Sequence, residues 1–499
     1  MIDPLDALRR QAKTLHKSYE TGDRAAIARV DLIKPRDSGP LRRADFLHVV
    51  ARENSFATWP EMKLAVETRG MDRAAKQQRL KIALFHGQVH VVQRLMWDTP
   101  DLADDAFGLQ VALYDLDAVR RVLADDPSAA VQSYGPRRAI LHLAFSPMLR
   151  AWPHKEADML AIAELLVSHG ANVNDGFPSQ AGSDHLLSTL YGAIGHAGNM
   201  PLAQWLLDHG ADPDDNESLY HATELGHHEG LKMLLAADAK PEGTNALFRA
   251  MDADDPTMVE MLLAAGADPN EDNGGMTALH HAALRRTSPE VCQLLFAAGA
   301  DQTIMRKGVT AYACARVFGN APLAKKLDPT PLSPEEALLA AAADNAVPDG
   351  VFIDPAKVPE VYANILREVL SFPENMAHLQ ALVALGMPWD QPDTISVTPV
   401  QTAGWEGLPD VMAFFLSLKP DLGHVNGYGG TLLSTIIHGS ENNPKRTERD
   451  HLTCLELALK EGVALPRRAI DFAGEPDVAE FLADWATRYP GQVVEHGIV

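Results

Sequence analysis

One helix-ending signature returns along this chain, and its spacing restricts what the rest can fold into. It reads Leu165-Leu166…Gly170-Ala171-Asn172, then Leu206-Leu207…Gly210-Ala211-Asp212, then Leu262-Leu263…Gly266-Ala267-Asp268, and again Leu294-Leu295…Gly299-Ala300-Asp301. Gly266 and Gly299 are 33 residues apart; Gly170 and Gly210 are 40 apart, which implies a seven-residue insertion. Paired Leu residues with Val or Ala three or four positions earlier make one apolar helix face. The following Gly suits the left-handed residue that ends a helix, a conformation only glycine adopts cheaply. A helix pair of this size cannot bury its apolar face alone, so neighbours must stack and stability becomes a sum over adjacent units. At 499 residues the chain also exceeds what one hydrophobic core serves, in keeping with an array.

The fullest unit runs Asn273-Gly-Gly-Met-Thr277-Ala-Leu-His280-His-Ala-Ala283, then Ser288-Pro-Glu-Val-Cys-Gln-Leu-Leu295, then Gly299-Ala300-Asp301. This order of features resembles the ankyrin repeat. The resemblance implies an all-α fold, an ankyrin-repeat α-solenoid of stacked helix pairs with short hairpin loops. First-helix starts recur at Thr310-Ala-Tyr312, Thr398-Pro-Val400 and Thr431-Leu-Leu433, each with a Thr placed to cap the incoming helix. Four regions follow: a helical N-terminal cap over 1–70, a repeat array over 71–327, an irregular proline-rich connector over 328–360, and a second, degenerate repeat block with a C-terminal cap over 361–499. Prolines at the density of 328–360 break helices. The segment Ser55-Phe-Ala-Thr-Trp59-Pro-Glu-Met-Lys63, behind a helical run, resembles the lead-in of many bacterial ankyrin-repeat proteins.

Charge narrows the partners. Residues 1–150 hold 23 Lys and Arg against 19 Asp and Glu, whereas residues 151–499 hold 21 against 48. A phosphate backbone is repelled by the larger portion, so nucleic acid is not expected, and a basic protein is one reading of the acidic excess. No stretch approaches the roughly 18 consecutive apolar residues of a membrane span. The N-terminus lacks the pattern of a secretory signal, and Cys292, Cys314 and Cys454 are widely separated and odd in number. Both point to a reducing cytoplasm.

Catalytic signatures are absent: there is no phosphate-binding G-x-x-x-x-G-K-[ST] loop, no G-x-S-x-G elbow and no H-E-x-x-H helix. The expectation is therefore no enzyme, no cofactor and no metal. Asn426-Gly-Tyr-Gly-Gly430 is glycine-rich but reads as a hairpin tip before a first helix. Asp252-Ala-Asp254-Asp255 lacks the twelve-residue calcium loop. The three thiols fall where helices present their buried sides and read as structural. His280 occupies the ankyrin position whose imidazole, the resemblance implies, bonds neighbouring loops.

If the resemblance holds, side chains just before each inter-helix turn, and those at the hairpin tips, line one concave surface. They are Phe85, His86, His196, Leu225, Leu284, Arg285, Phe318, Trp405, Glu406 and His438, with Met276, Arg306, Lys307 and Tyr428 at the tips. Aromatic and Arg side chains concentrate interface energy, which singles out Phe85, Phe318, Trp405 and Tyr428. The expected activity is a protein–protein interaction scaffold holding a macromolecular partner in that groove. An inhibitor or immunity protein for a toxin or enzyme, or an enzyme housed in 328–360 or 439–450, remain as alternatives.

Overall fold

The computed structural model describes residues 4–33, 41, 43–180, 182–372 and 375–495, and it divides into two compact units, Met1–Asp268 and Pro269–Val499. Among the described residues there are 29 α-helices, and strands occur only as three two-stranded pairs. No helix among them is long and apolar enough to cross a membrane.

The first unit opens with four helices, Pro4–Glu20, Arg24–Ile33, Arg43–Glu53 and Trp59–Arg69, around Leu15, Val30, Phe46, Val49 and Met62. Antiparallel helix pairs follow, beginning with Arg73–Phe85 and Val89–Asp98 and ending with Ala246–Asp252 and Pro256–Ala264. First helices carry alanine where they meet their neighbours: Ala144, Ala193, Ala222 and Ala250 are fully buried. The Gly of each repeat ending sits where the left-handed conformation is required, with φ of +93° at Gly170 and +87° at Gly210. The insertion implied between them is an antiparallel hairpin, Gly176–Pro178 with Leu186–Ser188.

At several layers one side chain laces a repeat to the next. The Asn174 amide donates to the Gly210 carbonyl at 3.0 Å and accepts the Asp212 N–H at 2.7 Å. Asp214 accepts the Lys240 N–H one layer on. In the second unit Asn270 does the same for Gly299 and Asp301, and Gln302 for Asp328. These bonds satisfy backbone groups that each helix end would otherwise leave unpaired.

The second unit runs from Ala278–Arg285 and Pro289–Ala297 through Pro399–Trp405 and Pro409–Ser417 to Leu432–Asn442 and His451–Lys460, then Arg467–Phe472 and Pro476–Arg488. The proline-rich stretch 328–360 departs from the irregular connector expected of it, because Pro334–Ala343 is a ten-residue helix. Its proline stands in the first turn, where a missing N–H costs nothing, and Ser333 and Glu336 form a reciprocal capping box. This helix packs on both Ala311–Val317 and Met376–Ala384. Tyr362, wholly buried, anchors the loop beyond it by donating to Glu336 Oε1 at 3.2 Å.

Candidate functional site

A cavity in the second unit has a volume of about 670 Å³, within the range of ligand pockets. Two first helices, Pro399–Trp405 and Leu432–Asn442, and the turns preceding them build it. Thr398 with Gln401, and Thr431 with Ser434, form capping boxes that fix where each helix starts. The helices then approach closely because two positions have no side chain. A Cβ on Gly404 would meet Ile436 Cγ1 at 2.7 Å, and one on Gly439 would meet the Trp405 carbonyl oxygen at 2.4 Å.

The tips are equally determined. Asn426 Oδ1 accepts the N–H groups of Tyr428 and Gly430, at 3.1 and 2.9 Å. Its amide donates to Thr435 Oγ1. Gly427 bonds Ile395 O through its N–H at 2.8 Å, an approach a Cβ would block at 2.7 Å. The glycine-rich run is thus the hairpin tip the sequence suggested, and it holds the Tyr428 ring out at 78% exposure. Arg367 closes one wall, paired with Asp393 at 2.5 Å and donating to the Val397 carbonyl. Glu441, held by the Gly474 N–H, closes the other.

Of the residues expected on a groove, this cavity gathers three: Trp405, Tyr428 and His438. The Trp405 and His438 rings lie 5.1 Å apart, tilted by 40°. Glu406 is half-buried beside Trp405. Ile395, 43% exposed, and Arg367 also line it; neither falls at the position before a turn, which is why the repeat pattern did not single them out.

The other residues disperse. Leu284 and Phe318 belong to the core, at 7% and 2% exposure, so neither offers a surface to a partner. The Phe318 ring is covered by Tyr362, with centroids 5.7 Å apart. Arg285, Arg306 and Lys307 do not form a free basic spot, since each faces a carboxylate: Glu368 at 3.3 Å, Asp272 at 3.4 Å and Glu360 at 3.1 Å. Met276 is half-buried in a turn bridged to Asn273.

In the first unit Leu225 is exposed, while the Phe85 and His196 rings lie 4.1 Å apart, tilted by 38°. His196 Nε2 bonds the Phe85 carbonyl at 2.8 Å, and His86 is exposed beside them. His280 is structural, bonded to Thr277 Oγ1 at 2.8 Å and to the Val309 carbonyl at 3.1 Å, with its pKa lowered by burial. All three thiols are buried, and burial raises Cys314 and Cys454 to about 12, so neither is a thiolate at neutral pH. No group of three or more His, Cys, Asp or Glu among the described residues could hold a metal ion.

The family model for ankyrin repeats matches the chain in three overlapping copies, over residues 190–273, 219–306 and 247–328. No curated protein matches it. Among solved structures, the ankyrin repeat domain of Bcl-3 is similar at 18% identity and a TM-score of 0.21, covering 48% of this chain and 96% of that one. The human ASB11 ankyrin repeat domain gives the same identity and TM-score, covering 49% of this chain and 96% of that one.

Proposed function

We propose that this ankyrin-repeat chain acts by holding a protein partner, with the cleft at Trp405, Tyr428 and His438 as its docking site. The observation that carries this reading is the convergence of those three rings on one cavity of about 670 Å³ beside an exposed Tyr428. Aromatic side chains that surround a concave apolar site are the usual energetic centres of an interface. The excess of acid over base in residues 151–499, 48 against 21, favours a partner of basic character.

Proximity labelling in cells, with the full chain carrying Trp405→Ala or Tyr428→Ala, tests the reading. The partners recovered with the wild-type chain should be lost with both variants, while the melting temperature stays unchanged. Losing one interface hot spot costs about 2 kcal/mol or more of binding, roughly thirtyfold in affinity. Unaltered labelling with both variants would exclude this cleft.

A further inference from the structure

Two arginines of this chain show what its rings and carboxylates hold together. Arg249 lies 5.5 Å over the Tyr220 ring while its guanidinium pairs with Glu224 and Asp252, both at 2.8 Å. Arg488 lies 5.4 Å over Trp485 and 5.9 Å over Tyr489, and it pairs with Asp484 at 3.1 Å. Each time a cation rests on an aromatic face with a carboxylate beside it, two attractions that add.

The cleft of the second unit has the same two kinds of partner without the cation. Ser434, His438 and Glu441 stand at i, i+4 and i+7 on one face of Leu432–Asn442, and they line the cavity with Trp405 and Tyr428. The Asn442 amide donates to His438 Nδ1 at 2.9 Å, which fixes the imidazole plane against the indole. Glu441 is half-buried, and its Oε1 accepts the Gly474 N–H. Among the described residues no basic side chain pairs with this carboxylate, and none stands over the Trp405 or Tyr428 ring. Arg367 lines the same cavity, but it is bound to Asp393 at 2.5 Å and to the Val397 carbonyl, so its charge is balanced in place. A half-buried carboxylate without a counter-ion favours a cation from outside. The acidic excess of residues 151–499, 48 against 21, has the same sign.

We propose that the cleft takes one arginine side chain from a basic segment of the protein partner, its guanidinium over Trp405 and paired with Glu441, its stem against Tyr428. This rests on the reading of the cleft as a protein-docking site. The reach is adequate: the Trp405 and His438 rings are 5.1 Å apart, and helix neighbours at i and i+3, such as His438 and Glu441, are separated by about 5–6 Å. Arginine fits better than lysine because its planar group stacks on a ring face and forks onto a carboxylate at once.

The probe is the capped peptide Ala-Ala-Arg-Ala-Ala, isotope-labelled at its arginine, titrated with the full chain and followed by NMR. Saturable binding is expected, weaker for the lysine peptide and absent for the citrulline peptide, which keeps the shape and loses the charge. Glu441→Gln should weaken it about tenfold, and the fold should hold because an amide oxygen still accepts the Gly474 N–H. Trp405→Ala should weaken it as much. Glu448→Gln, at an exposed carboxylate outside the cavity, should leave it unchanged. Melting temperatures accompany each titration. Equal binding of the arginine and citrulline peptides would overturn the proposal, as would an equal loss with Glu448→Gln and Glu441→Gln. Proximity labelling separates the anchor from the cleft. Partners lost with Trp405→Ala but kept with Glu441→Gln would overturn the arginine anchor and leave the docking cleft standing. Partners kept with both would overturn both.

Discussion

His378 should add to the acid sensitivity of the second unit, and one substitution should remove its share. The imidazole is 5% exposed on the helix Met376–Ala384, and neither ring nitrogen has a hydrogen-bond partner within the protein. Burial and the neighbouring Arg286 guanidinium lower its pKa to about 4, only partly countered by Asp344. Its unfolded value is about 6.5. Above that value both states are neutral and the full stability is present. As pH falls below 6.5 the unfolded chain takes up a proton that the folded one refuses, and stability declines until the folded pKa is reached. At pH 5 the two values give a loss of about 2 kcal/mol from this residue. His378→Leu should remove that loss while keeping the volume filled. Urea unfolding of both proteins at pH 7.5 and pH 5.0 measures it. His142, lowered to about 4 in the first unit, adds a decline common to both proteins, so the difference between them is the diagnostic quantity. Equal pH dependence in wild type and variant would refute the reasoning.

Three further perturbations follow from the same packing. Phe318→Ala should cost about 3–5 kcal/mol of stability, the penalty for truncating a buried ring, read as a lowered urea midpoint. Tyr362→Phe should cost about 1–3 kcal/mol by leaving a buried oxygen of Glu336 without its donor, measured the same way. Gly439→Ala should cost about 1–3 kcal/mol, because the new methyl group would fall 2.4 Å from the Trp405 carbonyl oxygen and force the two helices apart. Denaturation monitored by Trp fluorescence would show the last as an early transition in the second unit.

The helix pairs were legible because their signals are local. Leu pairs, a terminal Gly and a capping Thr each act within a few residues, and Thr277, Thr310, Thr398 and Thr431 all precede helices that begin at the next position. The helix inside the proline-rich segment is masked for a local reason as well. Proline breaks a helix interior but is favoured in its first turn, and Ser333-Pro334-Glu335-Glu336 carries the capping signature that tells the two apart. The surroundings of Arg137 are harder to recognise in the sequence. Arg137 and Arg138 are adjacent in sequence, yet Arg138 pairs with Asp175 at 2.6 Å while Arg137 inserts between the rings of Phe85 and Phe177, contributed by distant segments.

The contrast between Phe318 and Trp405 shows where a repeat pattern loses its power. Both stand at the inter-helix turn, and the pattern treats them alike. What decides their fate is the side chain that the neighbouring segment sets against them. Beside Phe318 stands Tyr362, a large ring tied down by Glu336, and the pair closes over into core. Beside Trp405 stands Gly439, which lets the next helix touch the Trp405 backbone directly and leaves the indole facing outward against His438. The missing Cβ draws the backbones together, and the cavity lies on the side where the rings remain. A groove position in a repeat array is therefore defined by two residues from different layers, and the depth of the cleft depends on the smaller of them.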